Sequence, residues 1–208
     1  MILRLKNLGH ADYRETWAAM REFTETRGPD TADELWLVEH PPVYTLGRNG
    51  DPSHILNPGG IPVVESDRGG QVTYHGPGQL VAYALFDLNR LGLGVRSLVT
   101  QLENAVIGTL SQYGIKAVAQ KDAPGVYVEG KKIASLGLRI RKGCSYHGLS
   151  LNVDMDLSPF YSINPCGYPG LEVTSLAKLG VPVRTVEVAV PLVGAVMREF
   201  GYDGIKSG

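Results

Sequence analysis

The sequence has few cysteines, no charge imbalance and no long apolar run. Its 208 residues contain two cysteines and balance 20 lysines and arginines against 21 aspartates and glutamates. Because the charges nearly cancel, no overall basic field favours nucleic acid or an anionic membrane, and we expect neither as a partner. No segment reaches membrane-spanning length, and Met1 to Leu8 lacks the apolar stretch of a secretory signal. We therefore expect a cytoplasmic protein with reduced thiols.

Common cofactor motifs are also missing. No glycine-rich loop ends in Gly-Lys-Ser or Gly-Lys-Thr, and no Gly-x-Gly-x-x-Gly opens a helix after a strand, so nucleotide binding by those routes is not predicted. Cys144 and His147 have the spacing of a metal-ligand pair, but no second pair completes a site. His147 also shares an alternating pattern with Leu149 and Leu151, which is typical of a core histidine. We expect no metal and no cofactor.

Periodicity predicts an α+β fold made of one domain over residues 1–208. Helical patterns cover residues 12–26, 95–113, a short stretch at 174–179 and the C-terminal region around Pro191. The ranges predicted as strands are 34–39, 43–47, 79–88, 116–119, 125–128, 132–140 and 146–153. We expect the first two of these strands to be joined by a turn at Pro41 and Pro42, and the helices to pack on one face of the sheet.

One stretch, Arg68-Gly-Gly-Gln-Val-Thr-Tyr-His-Gly-Pro-Gly-Gln79, is unusually rich in glycine. Glycine allows tight bends and a close approach of the backbone to a ligand. The pairs of glycines therefore predict two bends around residues 71–75, which form either a pocket wall or a hairpin without a ligand.

Two side chains could carry covalent chemistry. Cys166 lies in Asn164-Pro-Cys-Gly-Tyr-Pro-Gly170, a bend rather than the apolar strand or helix that usually holds a structural cysteine. A free thiol is mostly protonated at neutral pH, so attack by Cys166 would require a nearby cation. Lys132 begins a strand of small and apolar residues, which is an unusual setting for an ammonium group. A solvated lysine at a strand edge is the alternative interpretation.

Together with His147-Gly-Leu-Ser-Leu-Asn-Val153, these motifs resemble the lipoyl(octanoyl) transferase family, also called lipoate–protein ligase B. The resemblance runs from about Leu35 to Leu179. It implies a fold similar to biotin and lipoate ligases, and an acyltransferase that moves an octanoyl group from acyl carrier protein to a lysine of lipoyl domains. The acceptors would be lipoyl domains of 2-oxoacid dehydrogenase subunits and the glycine cleavage H protein.

The resemblance also implies site residues. Cys166 would be the nucleophile that carries the acyl group as a thioester, and Lys132 would be the general acid and base. The implied substrate-binding residues are Arg68, Gly69, Gly70, Gln71, Val72, Thr73, Tyr74, His75, Ser135, Leu136, Gly137, Gly148, Leu149 and Ser150.

Two alternatives remain at this point. An ATP-dependent lipoate or biotin ligase would share the fold, although such ligases carry a third glycine where this chain has Gln71 and need no cysteine nucleophile. A non-catalytic module that binds an acyl carrier would keep the pocket but not need Cys166. The compact basic cluster Arg139, Arg141 and Lys142 is either a solvated strand end or a contact for an acidic carrier domain.

Overall fold

The computed structural model describes all residues from Met1 to Gly208. Its strands are β1 (Ile2–His10), β2 (Asp33–Glu39), β3 (Val43–Leu46), β4 (Val63–Glu65), β5 (Val72–His75), β6 (Gln79–Leu85), β7 (Val118–Ala119), β8 (Gly125–Val128), β9 (Lys131–Arg141), β10 (Cys144–Asn152) and β11 (Gly204–Ser207). Its α-helices are α1 (Tyr13–Thr26), α2 (Leu88–Leu91), α3 (Val95–Ser111) and α4 (Thr185–Phe200). No helix is both long enough and apolar enough to cross a membrane.

The strands form two sheets. The larger has eight strands in the order β11-β1-β2-β6-β10-β9-β8-β7, and the smaller has three in the order β4-β3-β5. In the larger sheet β1 is parallel to both β2 and β11, whereas the neighbours from β2 to β7 are antiparallel. The mixed sheet with helices packed on it confirms the predicted α+β class.

Both faces of the larger sheet are covered. Successive side chains of a strand point to opposite faces, and β2 shows the division directly. Leu35 and Leu37 belong to the main core, which includes apolar residues of α3 and α4, while Trp36 and Val38 pack with Met20 of α1. The expectation that all helices lie on one face was therefore wrong, because α1 covers the opposite face from α3 and α4.

The start of α1 agrees with its local sequence signal, whereas the two C-terminal helix predictions differ from the structure. Asp12 caps α1, since its side chain accepts hydrogen bonds from the backbone N–H groups of Arg14 (2.7 Å) and Glu15 (3.2 Å). α4 begins at Thr185, so Pro191 lies inside the helix rather than at its start. The stretch predicted as a helix at 174–179 contains only a 3₁₀ turn at Ala177–Leu179.

The predicted turn at Pro41 and Pro42 joins β2 to β3, but the two strands belong to different sheets, because β3 pairs with β4 and β5 in the smaller one. One strand prediction needs correction. The strand predicted to reach residue 88 ends at Leu85, since Asp87 caps the short helix α2. The departure of β3 has a functional consequence, because it places the smaller sheet beside the cavity described below.

Candidate active site

Lys132 and Cys166, which are 34 residues apart in sequence, meet in the structure. Lys132 Nζ lies 3.0 Å from Cys166 Sγ and 3.2 Å from the carbonyl oxygen of Pro124. The Lys132 side chain is buried, and Nζ lies 5.1 Å from the ring centroid of Tyr127. A buried ammonium group is costly unless it has partners, and here the sulfur is the partner able to carry a negative charge.

A β-bulge directs Lys132 toward the sulfur. The pairing of β8 with β9 shifts register, so that Val126 pairs with Ala134 while Tyr127 pairs with Lys132, leaving Ile133 as the extra residue. Ile133 joins the main core, whereas Lys132 faces the same cavity as Ser135, three residues later. In a regular strand two residues three apart would face opposite sides, so the bulge is what places both in one cavity.

Cys166 is held in a tight loop outside the sheets. It lies in the 3₁₀ turn Pro165–Gly167 and has a φ of 57°, in the left-handed region that few non-glycine residues adopt. The loop is fixed to Lys132 by two backbone hydrogen bonds, from Lys132 N to Glu172 O and from Thr174 N to Lys132 O, each 2.9 Å long. The backbone of Lys132 therefore anchors the same loop whose sulfur its side chain contacts.

The electrostatic environment keeps Lys132 charged while the sulfur is anionic. Burial lowers the pKa of Lys132, but the charge of Cys166 and its hydrogen bond to Nζ, assisted by Tyr127, outweigh burial and raise that pKa above its ordinary value. If the charge on sulfur were removed, burial would remain as an opposing effect and the pKa of Lys132 would fall. The protonation of this lysine is thus linked to the state of the sulfur.

The dyad lies in a cavity of about 330 Å³ that contains nearly all the predicted binding residues. Those lining it are Arg68, Gly69, Gly70, Gln71, Val72, Thr73, His75, Ser135, Leu136, Gly137, Gly148, Leu149 and Ser150. Tyr74 does not line it. The Tyr74 ring packs instead against Tyr44 and Phe160, with centroids 5.5 and 5.6 Å away, in a separate cluster beneath the smaller sheet.

Arg68 is a buried cation without a carboxylate partner. Its guanidinium donates to Thr45 Oγ1 (3.0 Å from Nε), Gly69 O (2.8 Å) and Gln71 O (2.7 Å), all of them neutral acceptors. Burial lowers the pKa of Arg68, with the charge of Cys166 among the opposing effects. The positive charges of Arg68 and Lys132 therefore both favour negative charge that forms inside the cavity.

His75 is neutral in its buried position. Its Nδ1 lies 2.7 Å from Gln79 Oε1, which accepts the hydrogen bond because Gln79 Nε2 donates to Tyr74 O and Asn152 Oδ1. Burial, with smaller effects from neighbours, lowers the pKa of His75 to about 3. This histidine thus contributes a fixed neutral surface to the cavity rather than a charge.

His147 lies on the cavity side of β10, not in the main core with Leu149 and Leu151. Its φ of 61° lies in the left-handed region although the pairing of β10 with β9 continues through it, and both His147 and the preceding Tyr146 reach the carboxylate of Asp67. Since Asp67 can only accept, the 2.9 Å bond places the His147 proton on Nε2. His147 is thus a buried histidine with a hydrogen-bond partner, as alternation suggested, but it also lines the cavity and packs near Trp17 and Tyr83.

The Cys144–His147 pair does not form a metal cluster. No group of three or more His, Cys, Asp and Glu side chains in the structure is arranged to hold a metal ion. Cys144 Sγ lies 3.8 Å from the carbonyl oxygen of Lys142, whereas His147 is bonded to Asp67. Lys142 Nζ is 3.1 Å from Glu25, and Arg141 also contacts this glutamate, so part of the basic cluster is already paired.

Several cavity residues were not predicted. They are Tyr13, Val81, Tyr83, Val95, Val99, Ala123, Pro124, Leu138, His147 and Tyr168. Tyr168 follows Cys166 closely enough for its motif to suggest it. Val81 and Tyr83 carried no such signal, because buried residues of a central strand have the same appearance whether they face a core or a cavity.

A family model described as the lipoyl protein ligase A/B catalytic domain matches residues 12–196. The chain belongs to this family. It is 68% identical over 206 residues to a protein of Alkalilimnicola ehrlichii named octanoyltransferase, covering 97% of this chain and 95% of that one. An octanoyltransferase of Methylococcus capsulatus is 62% identical over 207 residues, covering both chains completely.

The fold of this family member matches a solved relative. A crystal structure of lipoate-protein ligase A bound with ATP aligns with a TM-score of 0.83 at 18% identity, covering 100% of this chain and 88% of the other. At that identity the likeness concerns the fold alone. It confirms the predicted lipoate ligase architecture, and the family match confirms the resemblance drawn from the motifs.

Proposed function

We propose that the chain transfers an octanoyl group from octanoyl-acyl carrier protein to the lysine ε-amine of lipoyl domains, through a thioester on Cys166. The chain is an acyltransferase, since relatives of nearly the same length and more than 60% identity share the name octanoyltransferase. The observation that carries the mechanism is the 3.0 Å contact between Lys132 Nζ and Cys166 Sγ inside a cavity lined largely by apolar groups.

In the first half-reaction the Cys166 thiolate attacks the thioester carbonyl of the donor. The bond between the acyl carbon and the carrier's sulfur breaks as the new bond to Cys166 forms. Lys132, which is an ammonium ion at this stage, gives its proton to the departing sulfur, so the carrier leaves as a neutral thiol. The products are acylated Cys166 and neutral Lys132.

In the second half-reaction neutral Lys132 accepts a proton. Without an anionic sulfur beside it, burial disfavours its charged form, which suits it to act as a base. It takes the proton of the attacking lysine amine as that nitrogen forms an amide with the acyl carbon. The bond to sulfur breaks, and the Cys166 thiolate and Lys132 ammonium are restored together. One thioester is consumed and one amide formed, so the balance requires no nucleotide.

Backbone N–H groups of three cavity residues are free to bind the tetrahedral oxyanion. The N–H groups of Gly70, Gln71 and Cys166 make no hydrogen bond in the structure, and all three residues line the cavity. A preorganised donor of this kind contributes about 3–4 kcal/mol to transition-state stabilisation. The nearby charges of Arg68 and Lys132 act in the same direction.

The test is transfer in the absence of ATP. Purified protein is mixed with octanoyl-acyl carrier protein and an apo-lipoyl domain, and all three are followed by intact-mass spectrometry. We expect an octanoyl adduct on the wild-type protein and then on the lipoyl domain. Cys166→Ser should show neither, while Cys144→Ser, which removes the other free cysteine, should show both.

Other outcomes would contradict this proposal. Transfer that begins only when ATP and a free acid are supplied would indicate a ligase. Binding of the carrier without transfer under either condition would indicate a non-catalytic module. An undiminished octanoyl adduct on Cys166→Ser would eliminate the covalent role of this residue.

A second experiment isolates the role of Lys132. Replacing it with methionine removes the charge but keeps a chain of similar length, so we expect alkylation of Cys166 by iodoacetamide at pH 7 to slow at least ~10-fold. Lys131→Met is the matched control, because Lys131 is exposed and pairs with Glu172 at 3.0 Å rather than with the sulfur. Equal alkylation rates in Lys132→Met and wild type would refute thiolate stabilisation by Lys132.

The partners and compartment are part of the same proposal. The acceptors would be lipoyl domains of 2-oxoacid dehydrogenase subunits and the glycine cleavage H protein, and the site of action would be the cytoplasm. An acidic carrier that docks on the basic cluster must compete with Glu25 for Arg141 and Lys142. Docking should therefore weaken as salt is raised.

A further inference from the structure

The residues that line the cavity differ sharply in exposure. Tyr168, two residues after Cys166 in the sequence, is 47% exposed, so the cavity meets solvent on the side of the nucleophile loop. Tyr13, Val81 and Tyr83 line the same cavity, and none of them is more than 3% exposed. An apolar chain attached to the sulfur is therefore shielded from water where it extends toward the buried residues of β6.

Strand pairing shows what the chain would cross. Two rows of paired residues run across β9, β10 and β6 and form the cavity floor. The first row is Gly137, Gly148 and Tyr83, and the second is Ser135, Ser150 and Val81. In each row β9 and β10 supply a glycine or serine, whereas β6 supplies a large side chain.

The small residues of the first row have a backbone reason to be glycine. A Cβ on Gly148 would lie 2.0 Å from the carbonyl oxygen of Ala82, and one on Gly137 would lie 3.0 Å from that of Gly69. Ser150 is under no such restriction. The floor therefore carries only small residues over β9 and β10, and a large side chain ends it at β6. There Tyr83 is held by a 2.7 Å hydrogen bond from its hydroxyl to His40 Nε2.

The span of this floor matches a medium-length acyl chain. Neighbouring strands lie about 4.8 Å apart, so β9 and β6 are separated by about 10 Å. An extended chain of eight carbons, with C–C bonds of about 1.5 Å in a zigzag, is about 9 Å long. A chain of this length that lies across the floor with its acyl carbon at β9, the strand that bears Lys132, would place its terminal methyl group against β6.

We infer that Val81 and Tyr83 form the end wall that sets acyl-chain length. This inference rests on the proposed function, and it assigns a specificity role to two residues of β6 that lie outside the glycine-rich and dyad motifs. Val81 is the better residue to alter, because it makes no polar contact, whereas Tyr83 supports His40.

The experiment measures competition between acyl chains. Wild type and variants receive equal mixtures of hexanoyl-, octanoyl- and decanoyl-carrier, and the products on the apo-lipoyl domain are counted by mass. Because one methylene in an apolar pocket changes selectivity about 10- to 200-fold, Val81→Ala should raise the decanoyl-to-octanoyl ratio at least ~10-fold. Ser150→Val, which narrows the floor before the wall, should lower the octanoyl-to-hexanoyl ratio by a similar factor.

Val38→Ala is the matched control. Val38 pairs directly with Val81 in the next strand of the same row, is also buried, and does not line the cavity. It loses the same two methyl groups from the same cluster, so it reproduces the general loss of packing but should leave both ratios unchanged. A shift in Val38→Ala as large as in Val81→Ala would overturn the inference.

The outcomes separate this inference from the proposed function. Wild type that transfers no acyl group without nucleotide contradicts the function. Wild type that transfers octanoyl, with ratios unaltered in Val81→Ala and Ser150→Val, refutes the end wall alone. If Val81→Ala does not fold, the octanoyl-to-hexanoyl ratio of Ser150→Val tests the end wall on its own. Thermal stabilisation by free octanoic and decanoic acids gives the same length comparison without the transfer reaction.

Discussion

Acid should destabilise the folded protein through His75. The pKa of this histidine is lowered from 6.5 to about 3, chiefly by burial, so the folded protein resists binding a proton that the unfolded chain accepts below pH 6.5. A lowered histidine pKa leaves stability unchanged above about pH 6.5 and reduces it as the pH falls from there toward 3. At pH 5 the two pKa values give a loss of about 2 kcal/mol relative to pH 7.5.

The loss at pH 5 is measurable by unfolding. For a chain of this size, about 2 kcal/mol corresponds to a fall in Tm of roughly 4–8 °C. Burial also lowers the pKa values of His40 and His147, so the total effect of acid on wild type should be larger than the share of His75. Urea unfolding at pH 7.5, 6 and 5 gives the pH dependence of stability directly.

Substitution isolates the contribution of His75. His75→Gln can still donate to Gln79 but cannot take up a proton, so its stability should fall by about 2 kcal/mol less than that of wild type between pH 7.5 and 5. His10→Gln, at the exposed end of β1, should retain the wild-type pH dependence. If His75→Gln loses as much stability in acid as wild type, the proposed link between burial of His75 and acid sensitivity is refuted.

Two further predictions concern stability. Gly148→Ala places a Cβ 2.0 Å from Ala82 O and should lower the free energy of unfolding by more than about 3 kcal/mol in urea titrations. Gly108→Ala, in open space within α3, is the control and should raise the free energy of unfolding by about 0.5–1 kcal/mol. A loss of stability in Gly148→Ala well below about 3 kcal/mol would contradict the close approach of the strands. Asp33→Asn should cost about 3–5 kcal/mol, because buried Arg27, 2.8 Å from Asp33, loses its charged partner. A change below 1 kcal/mol would show that this pair contributes little.

Local sequence signals predicted the helix bounds and the two reactive residues, Lys132 and Cys166, better than they predicted which strands pair in the sheets. The Asp12 cap and the apolar spacing of α3 are encoded within one turn or one face of a helix, so the bounds of both helices were predicted within two residues. Lys132 and Cys166 were identified through motifs, each of which is short and continuous. Their meeting, however, depends on the bulge at Ile133 and on the loop's return to the backbone of Lys132.

Features that depend on long-range pairing were not predicted. The parallel pairing of β11 with β1 joins opposite ends of the sequence. The pairing of β3 with β5 joins two strands that are separated by a long connection containing β4. Val81 has the sequence environment of an ordinary core residue. Only its register opposite Ser150 shows that it faces a cavity. The cavity contact of His147 has a different, local origin, because its positive φ departs from regular strand geometry and nothing in the sequence signals that departure.

The two backbone bonds between Lys132 and the nucleophile loop couple local unfolding to loss of the site. An opening that breaks the Thr174 to Lys132 bond frees the loop bearing the sulfur and loosens the strand bearing the amine. Hydrogen exchange at the Thr174 amide would therefore report how often the intact site is present, without any substrate. A docked carrier that closes over the loop should slow that exchange.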